Sequence, residues 1–264
     1  MILSEIHFFS DVLVSRCTAN VILPQRKPSD PQDNYHTPFR VLYLLHGYSD
    51  DHTAWQRWTS IERHVEGLNL AVIMPAGQNS FYTDMAHGGK YFTFLTEELP
   101  GIVGELFPLS TERSDTFVAG LSMGGYGAFK LALARPDLYA AAASLSGALD
   151  ICEVLKENDD PENKVWLETM RNIFGNVEKV PGSAHDLFAL AQKVSLSANK
   201  PQLFQYCGTE DFLYADNIRF RDFIRPLGFD YTYEATPGDH KWKYWDGMIQ
   251  KVLAWLPLQE KSLA

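Results

Sequence analysis

The sequence GLSMG, at positions 120–124, places Ser122 between two glycines at a junction between two hydrophobic patterns. Residues 116–119 precede it as a predicted strand, and residues 126–134 follow with the apolar spacing of a helix. A serine in this context is typical of the nucleophile elbow, a sharp strand-to-helix turn that exposes the hydroxyl above a sheet. Glycines suit such a turn because side chains there would collide with neighbouring backbone. We therefore predict that Ser122 is a nucleophile; a chemically inert turn of small residues is the alternative.

Strands and helices alternate on both sides of this motif, which predicts an α/β fold. Two strands of the antiparallel type open the chain, at 4–9 and 17–23. From position 40 onward, short apolar runs alternate with helical patterns, so we predict a mostly parallel central sheet with helices on both faces. The remaining predicted strands are 40–45, 70–74, 116–119, 140–145, 202–206 and 231–235, and the predicted helices are 54–66, 92–106, 128–134, 213–224 and 245–255.

The whole chain, 1–264, is predicted to be a single domain because it contains no internal repeat and no low-complexity tract. Turn-forming residues and little apolar content predict an exposed loop at 24–38. Residues 151–200 are longer than one crossover requires, and they contain helical patterns at 153–156, 164–173 and 184–193. We predict a helical, cap-like insertion over the carboxyl edge of the sheet, where ligands bind in open α/β folds. A surface excursion with no role in the site is the alternative.

The composition, 45% hydrophobic and 21% charged, is that of an ordinary globular protein. A formal net charge of −10 without clustered Lys and Arg argues against a nucleic-acid partner. No apolar run approaches the ~20 residues that cross a bilayer, and the N-terminus lacks the features of a signal peptide. We therefore expect a cytoplasmic protein. Cys17, Cys152 and Cys207 are too few for a disulfide framework and lack metal-ligand spacing, so we expect no metal and no other cofactor.

A serine nucleophile needs a base and an acid, which in α/β-hydrolases follow it in the order acid, then histidine. Asp211 follows the predicted strand 202–206; its neighbour Glu210 is the other carboxylate there, and we expect it to face water. A helix N-cap is the alternative role for Asp211. His240 follows the strand 231–235 in a Pro-Gly turn and is the only histidine after Asp211. Ser122, Asp211 and His240 are therefore the predicted catalytic triad.

An oxyanion hole should complete the site, because the tetrahedral intermediate concentrates negative charge on one oxygen. One donor is expected from the backbone N–H of Met123, the residue after the nucleophile. The loop after the strand 40–45 contains His46-Gly47 and should supply the second donor, for which we favour the N–H of Tyr48. The alternative is that His46-Gly47 only ends the strand.

Aromatic residues fall in the loops expected above the sheet, and they suggest a pocket for a small acyl or aryl group. Core packing is the alternative for most of them. Tyr48 and Phe212 adjoin motif residues, which favours a pocket role for those two. The predicted pocket residues are Trp55, Tyr82, Phe212 and Trp242.

The segments LLHG at 44–47, GLSMGG at 120–125, DF at 211–212 and HKWKYW at 240–245 together resemble the esterase D group of serine esterases. That group includes S-formylglutathione hydrolases, short-chain tributyrin-type carboxylesterases, feruloyl and acetyl-xylan esterases, and mycolyltransferases. The resemblance implies the α/β-hydrolase fold, the triad Ser122, Asp211 and His240, and hole donors at Tyr48 and Met123. Formylglutathione enzymes usually show SGLTC where this chain has HGYSD at 46–50, so the chain looks most like the tributyrin-type esterases.

We therefore expect a cofactor-free serine carboxylesterase acting on short-chain acyl esters. A carbohydrate esterase, an S-formylglutathione hydrolase or an acyltransferase on the same scaffold is the alternative, and a binding protein on an inactive hydrolase fold is a third. The expected partner is a small-molecule ester; the sequence leaves open whether the chain forms a homo-oligomer.

Overall fold

The centre of the computed structural model, which describes residues 1–25, 37–157 and 164–258, is an eight-stranded sheet. Its strands are β1 (Ile2–Ser10), β2 (Ser15–Leu23), β3 (Arg40–Leu45), β4 (Leu70–Pro75), β5 (Thr116–Leu121), β6 (Ala141–Leu145), β7 (Gln202–Gly208) and β8 (Tyr231–Thr236). The strand order is β1-β2-β4-β3-β5-β6-β7-β8. β1 and β4 both pair antiparallel with β2, and every other neighbouring pair is parallel. This confirms the predicted mostly parallel sheet with antiparallel strands at its start.

Helices cover both faces of the sheet. They are α1 (Ala54–Trp58), α2 (Ile61–His64), α3 (Tyr91–Thr93), α4 (Leu99–Leu106), α5 (Met123–Ala134), α6 (Ile151–Glu157), α7 (Lys164–Phe174), α8 (Leu187–Val194), α9 (Tyr214–Ile224) and α10 (Trp242–Trp255). α5, α8 and α9 bury their apolar side chains on one face, whereas α1, α2 and α10 bury theirs on the other. Strands covered on both faces need apolar residues in succession, which explains the short apolar runs of the sequence. No helix within the described ranges is long and apolar enough to span a bilayer.

Two helices predicted as continuous are interrupted. The predicted helix 54–66 is two short helices, because Thr59 is extended and Asp246 of α10 accepts the N–H of Ser60 at 2.8 Å. In the predicted helix 92–106, residues Phe94–Glu98 form a π-helical segment that closes with a hydrogen bond from Leu99 N–H to the Phe94 carbonyl. Pro100 has no N–H to continue the regular α-helical pattern, which accounts for the wider turn.

The region 151–200 contains α6, α7 and α8 in its described part, 151–157 and 164–200. α8 begins at Leu187 rather than at 184, because the Asp186 side chain accepts the N–H groups of Phe188 and Ala189 and so caps the helix there. Most of the predicted loop 24–38 lies outside the described residues. Whether residues 151–200 form a cap depends on the contacts that their helices make with the site.

Candidate active site

Ser122 occupies a strained turn between β5 and α5. Its φ of 52° and ψ of −118° lie in a region that residues other than glycine rarely adopt. The turn is held by hydrogen bonds from Ser122 N–H to the Leu145 carbonyl (2.9 Å) and from Tyr126 N–H to the Ser122 carbonyl (3.1 Å). At Gly124, a Cβ would lie 2.4 Å from the Leu45 carbonyl oxygen, so the helix can approach β3 only with glycine there. This is the geometry of a nucleophile elbow.

The loop after β3 lies directly against this turn. A Cβ at Gly47 would be 2.8 Å from Leu121 Cδ1 and 3.7 Å from Ser122 Cβ, so only a glycine leaves the present space. Among the described residues, the N–H of Tyr48 has no hydrogen-bond acceptor. Met123 is the first residue of α5, and N–H groups in the first turn of a helix have no partner within the helix. Two unpaired N–H groups on adjacent segments are what an oxyanion hole requires.

His46 supports that loop from inside the protein. Its Nδ1 lies 2.8 Å from the Gly47 carbonyl oxygen, and its Nε2 accepts the N–H of Gly77 at 2.9 Å. The Tyr82 hydroxyl donates to the His46 carbonyl at 2.7 Å. Burial lowers the pKa of His46 to about 4, so the ring is neutral and its tautomer is fixed with the proton on Nδ1. His46 therefore does more than end a strand, because its ring holds the backbone that precedes Tyr48.

Asp211 and His240 form a hydrogen-bonded pair on the loops after β7 and β8. The His240 Nδ1 lies 2.8 Å from Oδ2 and 3.0 Å from Oδ1 of Asp211, whose side chain is buried. Asp211 Oδ1 also accepts the N–H of Leu213 at 2.9 Å, so this carboxylate organises the start of α9 as well. The two loops touch, since a Cβ at Gly208 would lie 2.2 Å from the Gly238 carbonyl oxygen.

Glu210 contributes to the same arrangement although its side chain is exposed. Its carboxylate accepts the N–H of Gly238 and, at 2.8 Å, the hydroxyl of Thr209. The backbone N–H of Glu210 donates to the Gly238 carbonyl at 2.9 Å, so the contact is reciprocal. Glu210 thus fixes the loop that carries His240, a role that the sequence did not reveal.

The imidazole of His240 packs against two aromatic rings. The Phe212 ring centroid lies 4.5 Å from that of the imidazole, and the Trp245 ring, at 4.8 Å, is perpendicular to it. The Trp245 indole N–H donates at 3.1 Å to the hydroxyl of Ser146, which follows β6 with a positive φ of 50°. These contacts link the His240 ring to the segment next to the nucleophile turn. Trp245 and Ser146 were not predicted as site residues; the signal for Trp245 was the tryptophan repeat at 242 and 245.

The four predicted pocket residues differ in their exposure. Trp55 and Tyr82 are 1% and 0% exposed, so both side chains are buried. The Trp55 indole donates to the Leu45 carbonyl at 2.9 Å and packs edge-on against Trp242, which makes it part of the core. Trp55 and Tyr82 are therefore packed inside the core of this structure, and a pocket role for them stays a prediction. Phe212 is 75% exposed beside the imidazole, and Trp242 is partly exposed.

Residues 151–200 contribute an aromatic side chain next to the loop after β3. The ring centroid of Trp166, on α7, lies 5.4 Å from that of Tyr48 and 6.5 Å from that of Phe81. Tyr48 and Phe81 are themselves 6.2 Å apart. The indole N–H of Trp166 is buried without a hydrogen-bond partner among the described residues. Sequence reasoning missed Trp166, because nothing local distinguishes it from an ordinary residue of an amphipathic helix.

Comparisons with known proteins identify the family. The Esterase family model matches residues 10–256. An acetyl esterase of Caldicellulosiruptor saccharolyticus is 32% identical over 261 residues, which is 97% of this chain and 98% of the relative. The fluorophosphonate-binding serine hydrolase FphF of Staphylococcus aureus is 35% identical with a TM-score of 0.86, covering 98% of this chain and 99% of that one. The S-formylglutathione hydrolase FrmB of the same species is also 35% identical with a TM-score of 0.84, covering 97% and 98%.

These relatives share the sheet and its covering helices along nearly the whole chain, as the resemblance to serine esterases implied. The fold is that of the α/β-hydrolases. The chain therefore belongs to the Esterase family and is an enzyme that acts on ester bonds.

Proposed function

We propose that the enzyme is a serine carboxylesterase that hydrolyses short-chain acyl esters through Ser122, His240 and Asp211. The observation that carries this proposal is the pairing of His240 Nδ1 with the buried Asp211 carboxylate at 2.8 Å. Both side chains follow strands whose carboxyl ends share one edge of the sheet with the Ser122 elbow. A histidine oriented by a carboxylate at the edge that carries a strained serine is the arrangement of a serine hydrolase.

In the first half of the reaction, Ser122 Oγ attacks the ester carbonyl carbon while His240 Nε2 takes the hydroxyl proton. The carbonyl oxygen becomes an oxyanion that accepts the N–H groups of Tyr48 and Met123. Asp211 keeps the proton on Nδ1, so that Nε2 is free to act as the base, and it stabilises the imidazolium that forms. His240 then protonates the departing alcohol, and the acyl group remains on Ser122.

In the second half, His240 removes a proton from water, and the resulting hydroxide oxygen attacks the acyl carbon. The bond to Ser122 Oγ breaks as the imidazolium returns the proton to that oxygen. The products are the free serine and a carboxylic acid. No metal or other cofactor takes part in this sequence. An alcohol in place of water would give transfer, so product analysis with a competing alcohol separates hydrolase from transferase.

Short acyl chains are favoured because bulky rings crowd the side of the hole formed by the loop after β3. Tyr48 supplies a hole donor through its backbone, and its ring packs edge-on against Trp166 of α7. Phe81 closes the same cluster. The similarity to an acetyl esterase over nearly the full chain also supports a small acyl group. In this proposal, residues 151–200 form a cap-like wall of the acyl site through Trp166.

A glutathione thioester with a formyl group is the second candidate substrate. The 35% identity to FrmB over 97% of the chain favours it, although the HGYSD sequence at 46–50 differs from that usual in formylglutathione enzymes. The same triad can act on a thioester, since only the leaving group changes. The part of the site that holds the leaving group therefore decides between the short-chain ester and the glutathione thioester.

The experiment is a comparison of p-nitrophenyl esters from acetate to octanoate with S-formylglutathione. We expect kcat/KM to be highest for acetate or butyrate and to fall as the chain lengthens. By analogy with triad substitutions in other serine hydrolases, Asp211→Asn should lower kcat by about 10⁴-fold and Ser122→Ala by about 10⁶-fold. A fluorophosphonate should label the wild type and leave Ser122→Ala unlabelled.

Ser144→Ala is the matched control. Ser144 is a buried serine on β6 whose hydroxyl has no hydrogen-bond partner among the described residues. Loss of this hydroxyl should leave kcat within about twofold of the wild-type value, since no hydrogen bond is broken. Equal labelling of wild type and Ser122→Ala would contradict the nucleophile assignment. A preference for octanoate would contradict the short-chain specificity, and much faster turnover of S-formylglutathione would establish the second candidate.

A further inference from the structure

A cavity of about 560 Å³ lies between α5 and α8, near the end of α5 that is away from the nucleophile turn. Its walls include the apolar side chains of Phe92, Leu133, Leu190 and Val194. Ser122 and the residues of the proposed oxyanion hole do not line it. Lys130, which does, is eight residues along α5 from Ser122, or about 12 Å at the helical rise of ~1.5 Å per residue. This volume is in the range of cavities that bind small organic molecules.

The polar end of the cavity is formed by a lysine that is almost completely buried. Lys130 is 3% exposed; its ammonium donates to the Thr83 hydroxyl and lies 3.1 Å from His185 Nδ1. Its Nζ also lies 5.9 Å from the centre of the Phe92 ring and 5.6 Å from that of Tyr126. An ammonium has three donors, so one N–H remains without an acceptor among the described residues.

No carboxylate neutralises this lysine by direct contact in the described part of the chain. Asp84, the acidic residue that lines the cavity, accepts the N–H of Thr93 at 2.9 Å and its hydroxyl at 2.7 Å. The other charged residues in the lining are Lys193 and Arg135, and Arg135 is paired with Asp137 at 2.7 Å. With Lys130 protonated, the described lining therefore has two unpaired basic side chains, Lys130 and Lys193, against the single carboxylate of Asp84.

We propose that this cavity binds a monocarboxylate with an unbranched apolar tail, whose carboxylate accepts the free N–H of Lys130. The tail contacts the leucine and valine side chains of α5 and α8, and the charge lies at the polar end. A single negative charge suits one buried ammonium, since a phosphate dianion would lose much more hydration free energy than one donor restores. A neutral amphiphile would fill the same space without bringing a negative charge to the ammonium.

The protonation of Lys130 makes this binding dependent on pH. Burial lowers the pKa of Lys130 to about 7, and Asp84 partly opposes that shift. Burial and the neighbouring Lys130 lower the pKa of His185 to about 4, so the imidazole stays neutral near pH 7. Arg135 and Lys193 are the remaining charged groups of the lining. A bound carboxylate favours the ammonium, so binding takes up a proton and weakens as the pH rises through 7.

The cavity is separated from the catalytic centre by packed aromatic rings. Tyr126, one turn after Ser122, donates from its hydroxyl to the His185 carbonyl at 2.7 Å. Phe174 packs edge-on against His185 at 5.4 Å and against Phe81 at 5.5 Å. The proposal does not rest on the proposed function, and it is tested by binding rather than by turnover.

The experiment is isothermal titration of octanoate into the full chain at pH 6.0, with octanamide as the neutral probe. We expect octanoate to bind at least tenfold more tightly than octanamide. Lys130→Met should weaken octanoate at least tenfold and leave octanamide within about twofold, since one charge-assisted hydrogen bond is lost. Octanoate should bind about thirtyfold more weakly at pH 8.5 than at pH 6.0, given a lysine that titrates near 7.

Two further variants keep the test decisive if Lys130→Met does not fold. Ala184→Trp places a ring at the exposed lining residue Ala184, so it should weaken both probes. Lys179→Met removes an exposed lysine outside the cavity and should change neither affinity. The proposal is overturned if octanoate does not bind the wild type at 10 mM, if it binds no better than octanamide, or if Ala184→Trp binds it as the wild type does.

Discussion

His46 should make the protein lose stability as the solution becomes acidic. The ring is 1% exposed, and both nitrogens are used: Nδ1 against the Gly47 carbonyl and Nε2 as the acceptor of the Gly77 N–H. A proton on Nε2 would point at another N–H group and break that bond. Burial therefore lowers the pKa of His46 from 6.5 to about 4, with the Gly47 carbonyl and Asp51 partly opposing the shift.

The sign and the size of the pH effect on stability follow from the difference between the pKa values of His46 in the unfolded and folded states. Below pH 6.5 the unfolded chain binds a proton at His46 that the folded protein does not take up, so acid favours unfolding. The contribution is fully present above pH 6.5 and is lost progressively as the pH falls towards 4. At ~1.4 kcal/mol per pKa unit, the loss is about 2 kcal/mol by pH 5 and about 3 kcal/mol by pH 4.

The assay is urea unfolding of wild type and His46→Gln at pH 7, 6 and 5. His46→Gln should be less stable at pH 7, but its free energy of unfolding should fall by about 2 kcal/mol less between pH 7 and pH 5. Tyr82→Phe is the matched control, because it removes the hydroxyl that donates to the His46 carbonyl and no group that titrates in this range. That variant should be destabilised by about 1 kcal/mol at every pH.

Other acid-sensitive groups, such as His185, are present in all three proteins and cancel in the comparison. A wild type and a His46→Gln variant with the same pH dependence would refute the reasoning. So would an NMR titration of the wild type in which the His46 ring gains its proton near pH 6.5. Either result would mean that the loop carrying Tyr48 is not held by a neutral imidazole.

Three further substitutions test the site. Glu210→Gln should lower kcat while leaving KM nearly unchanged, because the exposed Glu210 carboxylate acts on the loop of His240 through the Gly238 N–H; a KM that rises by the same factor as kcat falls would contradict this. Gly124→Ala should destabilise the fold by about 1–3 kcal/mol or more in urea unfolding, since its Cβ would lie 2.4 Å from the Leu45 carbonyl oxygen. Phe212→Ala should leave the unfolding midpoint nearly unchanged, because the side chain is 75% exposed, yet lower kcat/KM about three- to tenfold by removing a ring from the imidazole. A wild-type kcat/KM would show that this ring contact has no role.

Local sequence was sufficient for the positions of the candidate triad. Ser122, Asp211 and His240 each follow an apolar strand in a short turn, and such turns carry their own signals in glycine, proline and the change of hydrophobic period. Parallel strands joined by helical crossovers bring their carboxyl ends to one edge. Residues that follow β5, β7 and β8 are thus brought together by topology alone, without any knowledge of side-chain packing.

Local sequence did not separate exposed aromatic residues from buried ones. Trp55 and Phe212 both occur in loops or helix starts near a motif, but one is 1% and the other 75% exposed. The difference arises because Trp242, nearly 190 positions away in the chain, covers the Trp55 ring. Burial of an aromatic side chain depends on which distant segment packs over it, and hydrophobic periodicity does not contain that information.

The sequence by itself determined the alternating fold and the strand-to-helix turn at Ser122, and it predicts the order of acid and histidine, because each is encoded in a few neighbouring residues. Only the tertiary structure decided that Glu210 holds the His240 loop, that Trp166 reaches Tyr48, and that a buried lysine faces an apolar cavity. These features join segments that are far apart in the chain. These contacts are stabilised by close packing and by the pairing of polar groups, and both exist only once the chain has folded.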